Sequence, residues 1–177
     1  MVLTGAGYVL RGMVKSRGRL PYAVCLYVVR VLNREASLAA FENPSLDEIG
    51  DLLGRVKNIA VVGFSPRPGR ASHNIARQLQ RFGFRIIPVR PGIAQGLGEK
   101  AYSSLSLVPD RIDLVNVFRT PGEVPAIVDQ CLKLGLKVLW LQEGAANEEA
   151  AVKARKAGMT VIMDRCIMRD YTRLCLS

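Results

Sequence analysis

The sequence predicts an α/β fold in which helices cover both faces of a doubly wound parallel sheet. Two observations lead to this prediction. Short, nearly continuous apolar runs recur along the chain, and segments with apolar residues at helical spacing separate them. Continuous apolar runs are typical of parallel strands, because such strands are buried on both faces. The alternation extends from residue 45 to residue 163 without an internal repeat, so we predict a single domain over residues 45–177.

The first predicted element is a helix that leads into the sheet. Ser45 is followed three residues later by Glu48, which is the spacing of a capping box. The apolar residues behind it fall on one helical face, and the helix is expected to end near Arg55.

The remaining elements follow from the apolar runs and from the residues that bound them. Gly83, Gly135 and Gly158 suit helix ends, Pro121 suits a helix start and Asn147 suits an N-cap. In chain order we predict strand 58–62, helix 72–82, strand 85–89, an edge strand at 101–102, a brief helix at 104–108, strand 112–118, helix 121–134, strand 137–141, helix 148–157 and strand 160–163. With these six strands numbered along the chain, the expected sheet order is 3-2-1-4-5-6.

Charge separates the start of the chain from the rest. The net charge is +10, and residues 1–44 carry six Lys or Arg against two Glu. We predict that residues 1–44 form a basic extension, either loosely ordered or translated from a start codon placed too far upstream. Its apolar run, Tyr22 to Leu32, is too short to cross a bilayer, so no membrane association is expected.

Composition also limits the kinds of site and partner. The basic excess would suit nucleic acid, which stays an alternative, but aromatic residues make up only 6% and no recognition motif is present, so no specific nucleic acid is expected. Four cysteines without C-x-x-C spacing and one histidine predict no metal site. Reduced cysteines indicate a cytoplasmic protein. The sequence identifies no protein partner and no oligomeric state.

The first strand-to-helix junction has the composition of an anion site. Strand 58–62 runs into Gly63-Phe64-Ser65-Pro66, and then through Arg67 and Arg70 into a helix that begins at Ser72-His73. Free N–H groups and the helix dipole favour an anion there. In the expected sheet order, the ligand crevice lies between this junction and Phe118-Arg119, where the strand order reverses.

The end of the second strand restricts the ligand further. The dinucleotide fingerprint G-x-G-x-x-G is absent, and only Gly63 matches part of it. NAD sites place an acid after the second strand, whereas this chain has Arg90-Pro91, which favours a phosphorylated ribose. NAD is therefore disfavoured, and NADP, coenzyme A and other phosphate-rich nucleotides remain as candidate ligands.

Seven segments of the chain together resemble a known family, and they are Ala60–Pro66, Arg70–Ser72, Ile87–Pro91, Leu97–Tyr102, Val117–Arg119, Trp140–Gly144 and Met163–Cys166. The region from about Asn43 to Leu174 closely resembles the small coenzyme A-binding proteins, single Rossmann-like domains akin to the nucleotide-binding domain of succinyl-CoA synthetase α subunits. Two departures are Arg90-Pro91, where the family usually has Asn-Pro, and an acid in Gln142-Glu143-Gly144.

This resemblance implies a domain that binds coenzyme A or an acyl-CoA and that has no catalytic residue of its own. An NADP-dependent oxidoreductase-like domain is the alternative. Gly63, Ser65, Arg70, Ser72, Arg90 and Pro91 are expected to hold the adenosine and phosphate end, and Arg119 to face the diphosphate. The full set of expected cofactor-binding residues is Gly63, Phe64, Ser65, Pro66, Arg70, Ser72, His73, Arg90, Pro91, Phe118 and Arg119.

Two residues have competing interpretations. His73 is the only imidazole, and without a visible nucleophile it is interpreted as a helix-start residue near phosphate rather than a base. Cys166 is either a small buried hydrophobe or the partner of the coenzyme A thiol in a mixed disulfide, since Asp164-Arg165-Cys166 follows the last strand on the ligand side.

Overall fold

A computed structural model of the chain describes residues 41–176, which contain a five-stranded parallel sheet with helices on both faces. The predicted Rossmann-like α/β fold is thereby confirmed. The strands are β1 (Asn58–Val62), β2 (Arg85–Val89), β3 (Gln95–Gly96), β4 (Glu99–Lys100), β5 (Leu114–Val117), β6 (Val138–Leu141) and β7 (Thr160–Met163). The helices are α1 (Leu46–Arg55), α2 (Ala71–Arg81), α3 (Val124–Lys133), α4 (Glu148–Lys156) and α5 (Ile167–Cys175).

Strand β1 occupies the position in the sheet where the strand order reverses. The five long strands lie in the order β2-β1-β5-β6-β7, and all neighbours are parallel. Val61 lies between Pro88 of β2 and Asn116 of β5 in the register. The carboxyl ends of β1 and β5 therefore bound a crevice, which is where ligands bind in open α/β sheets.

The core consists of two layers, one on each face of the sheet. On one face, β-strand residues such as Val117 and Leu139 pack against α3 and α4. On the other face, Val61 and Trp140 pack against α1, α2 and α5. This two-sided burial explains why the strands are apolar at almost every position.

The edge beside β2 differs from the prediction. Residues 101–102 do not form a strand, and Tyr102 makes a single parallel bridge to Val89. The Tyr102 N–H donates to Pro88 O at 2.9 Å and Tyr102 O accepts from Arg90 N at 2.8 Å. The place of the predicted edge strand beside β2 is therefore taken by one residue. The glycine-rich stretch before it holds the unpredicted β3–β4 hairpin.

Helix starts also differ in two places. The predicted helix at 121–134 begins as a 3-10 turn at Pro121–Glu123 and becomes α-helical only at Val124. The helix after β1 has Arg70 at its N-cap, with no side-chain cap, so Ser72 lies inside the first turn and does not cap the helix. The capping box of Ser45 and Glu48 and the N-cap of Asn147 are confirmed.

Helix α5 has no counterpart in the sequence prediction. It packs on α1, where Cys175 Sγ lies 3.9 Å from Gly50 O and Leu174 lies beside Gly50. A two-point ion pair from Arg165 to Asp170, with both N–O distances at 2.7 Å, joins its first turn to the loop after β7. Helix α5 thereby completes the cover over the face of the sheet that also carries α1 and α2, and its Tyr171 ring packs against Phe82 and Phe84.

The segment before α1 contacts the last strand of the sheet. The Asn43 side chain accepts a hydrogen bond from Met163 N at 2.7 Å and donates one to Met163 O at 2.9 Å. Phe41 N donates to Glu148 at 2.8 Å, and the Arg155 guanidinium lies 4.3 Å from the centre of the Phe41 ring. The predicted extension at 1–44 otherwise lies outside the described residues, so its boundary stays a prediction.

No helix within residues 41–176 is long and apolar enough to cross a membrane. In the same part of the chain, no cluster of His, Cys, Asp or Glu has the composition of a metal site.

Candidate functional site

Gly63 brings three strand ends together. Its N–H donates to Val89 O at 3.0 Å, and Phe118 N donates to Val62 O at 2.8 Å. Gly63 has φ +84°, and a Cβ there would lie 2.3 Å from Phe118 O. Because that contact is with backbone, no side chain fits. The close approach lets the chain leave β1 directly beside the end of β5.

Two buried serines shape the turn that follows. Ser72 Oγ accepts from Ser65 N at 3.0 Å, and Ser65 Oγ accepts from Arg67 N at 3.3 Å. Both residues are buried. Since each hydroxyl oxygen accepts its bond from an amide, each O–H proton stays available to a ligand oxygen.

The N-terminus of α2 faces the same turn without an acidic neighbour. No acid lies in the first turn of α2. Arg70 occupies the N-cap position, but its side chain makes no capping hydrogen bond. Helix N-termini carry partial positive charge and unpaired N–H groups. An anion at this position would therefore interact with the helix dipole as well as with the turn.

Four arginines line the cleft above this turn, and they differ in their partners. Among the described residues, no acid forms an ion pair with Arg67, Arg70 or Arg90, although Arg90 donates to Phe64 O at 3.3 Å. Arg119 is different, because its Nε lies 3.5 Å from Glu123 Oε1. Positive charge without a counter-ion therefore gathers near the β1–α2 turn.

The cleft has a volume of about 680 Å³. It lies beyond the carboxyl ends of β1, β2 and β5 and also reaches the loop after β6. Its walls are Gly63, Ser65, Pro66, Arg67, Arg70, Ala71, Ser72, Arg90, Pro91, Gly92, Ile93, Phe118, Arg119, Thr120, Glu123, Glu143, Gly144 and Ala145. This size and position suit a nucleotide-type ligand.

Comparison with known families agrees with this geometry. Residues 57–172 match the family model of the CoA binding domain. The chain belongs to this family.

Relatives of this CoA binding domain include both small proteins and parts of larger ones. The uncharacterized protein YneT of Bacillus subtilis strain 168 is 47% identical over 126 residues, 71% of this chain and 93% of that protein. The ADP-forming acetate–CoA ligase I subunit alpha of Pyrococcus furiosus is 30% identical over 122 residues, 60% of this chain and 26% of that subunit. This chain thus corresponds to about a quarter of the ligase subunit.

A solved structure has the same fold as this CoA binding domain. A hypothetical protein from Pyrococcus horikoshii OT3 superposes with a TM-score of 0.72 at 35% identity, over 77% of this chain and 99% of that one.

Nine of the eleven expected site residues line the cleft of this CoA binding domain, and two do not. The Phe64 side chain is fully buried and packs against Gly96, where a Cβ would lie 2.3 Å from the ring. His73 is buried, with Nδ1 3.2 Å from Ser65 O and its ring 5.9 Å from that of Phe64. These two residues support the turn from behind.

The sequence interpretation missed part of the cleft wall. Thr120 and Glu123 form a capping box at the start of the 3-10 turn that precedes α3, and the T-x-x-E spacing was the available signal. Gly92 and Ile93 belong to the loop before β3, which had no recognisable pattern. Glu143, the acid in Gln142-Glu143-Gly144, lines the cleft and forms an ion pair with Arg169.

Cys166 lies outside the residues that line the cleft. It is a buried free cysteine at the N-cap of α5, one residue after Arg165, whose carbonyl accepts from Trp140 Nε1 at 2.7 Å. Trp140 is itself fully buried. A mixed disulfide at Cys166 stays a hypothesis, and it would require the ligand thiol to pass beyond the cleft wall.

Proposed function

We propose that this chain binds coenzyme A or an acyl-CoA in the cleft and catalyses no reaction there. The observation that carries the proposal is the set of arginines without acidic partners beside the α2 N-terminus. Phosphates of the 3′-phosphoadenosine and diphosphate groups would replace the missing counter-ions, through charge-assisted hydrogen bonds from guanidinium groups.

The proposed orientation places the adenosine and phosphate end at the β1–α2 turn. Gly63, Ser65, Arg70 and Ser72 would contact phosphate, with Pro66 in the same turn. Arg90 and Pro91 would face the phosphorylated ribose, and Phe118 and Arg119 the diphosphate. The thiol or acyl end then points toward the loop after β6, at Glu143–Ala145.

Two further observations support the proposal, one for a binding role and one for a reducing compartment. No histidine or cysteine of the described chain is among the residues that line the cleft, so its walls offer neither an imidazole base nor a thiol nucleophile. Cys131, Cys166 and Cys175 are all unpaired thiols, which supports a cytoplasmic location.

Calorimetric titration of the full chain with coenzyme A, acetyl-CoA and NADPH tests the proposal. We expect heat of binding with both coenzyme A species and much weaker binding of NADPH. Arg70→Ala should weaken coenzyme A binding about tenfold and make it less sensitive to salt, because one charge-assisted contact is lost.

Arg81→Ala is the matched control, since Arg81 is an exposed arginine at the other end of α2. It should bind as the wild type does. Absence of binding at millimolar coenzyme A would reject the proposal, and tight NADPH binding would favour the oxidoreductase-like alternative. Steeply salt-dependent binding to generic DNA would favour the nucleic-acid alternative.

A further inference from the structure

One arginine of the cleft already has a carboxylate partner that lines the same cleft. Arg119 Nε lies 3.5 Å from Glu123 Oε1, and both side chains are partly exposed, at 39% and 47%. Arg67, Arg70 and Arg90 form no ion pair with a described acid. Any anion that is to use Arg119 must therefore share it with Glu123 or displace it.

The Glu123 carboxylate is held at this position from its other side. Thr120 donates to Glu123 Oε2 from its hydroxyl at 2.9 Å and from its N–H at 3.3 Å. These hydrogen bonds, together with the Arg119 charge, hold the pKa of Glu123 below its usual range. At neutral pH the carboxylate is thus ionised, and turning away from an incoming anion would break its two hydrogen bonds with Thr120.

We propose that Glu123 is a positioning residue that competes with the ligand's diphosphate for Arg119 and so lowers affinity for diphosphate-containing ligands. This inference rests on the proposed function. When Arg119 turns toward a diphosphate, Glu123 loses its counter-ion and faces a second negative group. Removal of the Glu123 charge therefore strengthens binding. Since partly exposed pairs are weak, the gain is about two- to fivefold.

Glu123→Gln tests this competition while preserving the local structure. Glutamine is accepted at the third position of a capping box, so the hydrogen bonds from Thr120 remain possible and the melting temperature should be unchanged. In calorimetric titrations, coenzyme A and ADP should bind the variant about two- to fivefold more tightly than the wild type. Adenosine 3′-monophosphate, which has no diphosphate, should bind both proteins equally in an NMR titration.

A double-mutant cycle separates this effect from a general change in charge. In the Arg119→Gln background, Glu123→Gln should give no gain, because the arginine for which the two anions compete is absent. Asp110→Asn is the charge-matched control, since Asp110 pairs with Arg85 at the amino end of β2, at the opposite end of the strands from the cleft. It should leave affinity unchanged.

Each alternative outcome has a definite meaning. Unchanged or weaker coenzyme A binding by Glu123→Gln would overturn the inference and leave the proposed function intact. An equal gain in affinity from Glu123→Gln in the Arg119→Gln background, or from Asp110→Asn, would show that the effect comes from net charge alone. That result would also overturn the inference. A wild-type protein that binds no coenzyme A would overturn the proposed function and this inference together.

Discussion

At the scale of single residues, Gly63 sets the geometry of the junction after β1. The same backbone position that turns the chain also contacts Phe118 O, so the turn and the approach of β5 are one constraint. Because this residue has no side chain, β1 and β5 can end side by side beneath the arginines that line the cleft.

Gly63→Ala should therefore destabilise the domain and weaken coenzyme A binding. A methyl group would have to displace backbone at 2.3 Å in addition to the strain of φ +84°. We expect a loss of about 3 kcal/mol in the free energy of unfolding, measured by urea denaturation.

Gly158→Ala is the matched comparison. It has φ +85° but nothing within 4 Å of its Cβ position, so only the conformational strain applies. Its loss should be about 1 kcal/mol. Equal losses at the two positions would mean that the contact with Phe118 O relaxes at little cost.

The sequence located cleft-lining residues where a strand end and a recognisable turn stand together; their role in binding stays a prediction. Arg70, Ser72 and Arg90 could be associated with one cleft because parallel strand ends converge. Phe64 and His73 could not be separated from the lining residues, since the direction in which a turn side chain points depends on packing. Gly96, far along the chain, provides the space that takes the Phe64 ring into the core.

At the scale of elements, Asp113 joins the starts of β1 and β5. Asp113 Oδ2 accepts from Asn58 N at 2.9 Å and Lys57 N at 3.1 Å, and Arg111 pairs with Oδ1 at 2.7 Å. Burial raises the pKa of Asp113, but these hydrogen bonds and the Arg111 charge together lower it below its ordinary value. The ionised carboxylate thus stabilises the pairing of the two strands.

Asp113→Asn should lower stability by about 1 kcal/mol at pH 7, as measured by urea denaturation. Because the pKa is lowered in the folded state, this contribution is present above about pH 4, the unfolded value, and is lost as the pH falls through the folded value. The difference between wild type and variant should shrink toward pH 3.

The exposed Asp51 offers a control for this pH dependence. Asp51→Asn should leave the stability profile close to that of the wild type. A difference between Asp113→Asn and the wild type that persists unchanged at pH 3 would contradict the assigned role of the charge.

The elements that sequence reasoning missed were those with weak local signals. Ile167, Tyr171 and Leu174 of α5 do lie at helical spacing, but charged residues separate them and no strong cap precedes them. The β3–β4 hairpin has two residues in each strand, which is too short for an alternation pattern. The sequence prediction put residues 101–102 beside β2, where Tyr102 does form a bridge, but it expected a two-residue strand there. Local sequence cannot distinguish a single bridge from a short strand.

At the scale of the whole molecule, the order of the sheet was predictable because alternation and handedness allow few arrangements. The ends of the sheet were less predictable, since they depend on contacts distant in sequence. Asn43 and Met163 are 120 positions apart, and nothing local to either residue indicates their pairing.

We expect that pairing to limit association of the protein with its own copies in solution. The Asn43 amide imitates one residue of an additional strand, so the outer N–H and C=O of Met163 are unavailable to a neighbouring chain. Open strand edges recruit further strands. Asn43→Ala should therefore show concentration-dependent light scattering at a lower temperature, with only a small change in the unfolding midpoint.

Glu42→Gln alters the adjacent exposed side chain and should scatter as the wild type does. Matching scattering curves for all three proteins would show that the amide does not protect the edge. If the scattering curves differ as expected, one side chain before the first helix controls aggregation of the protein on heating. Self-association then begins before the core has unfolded.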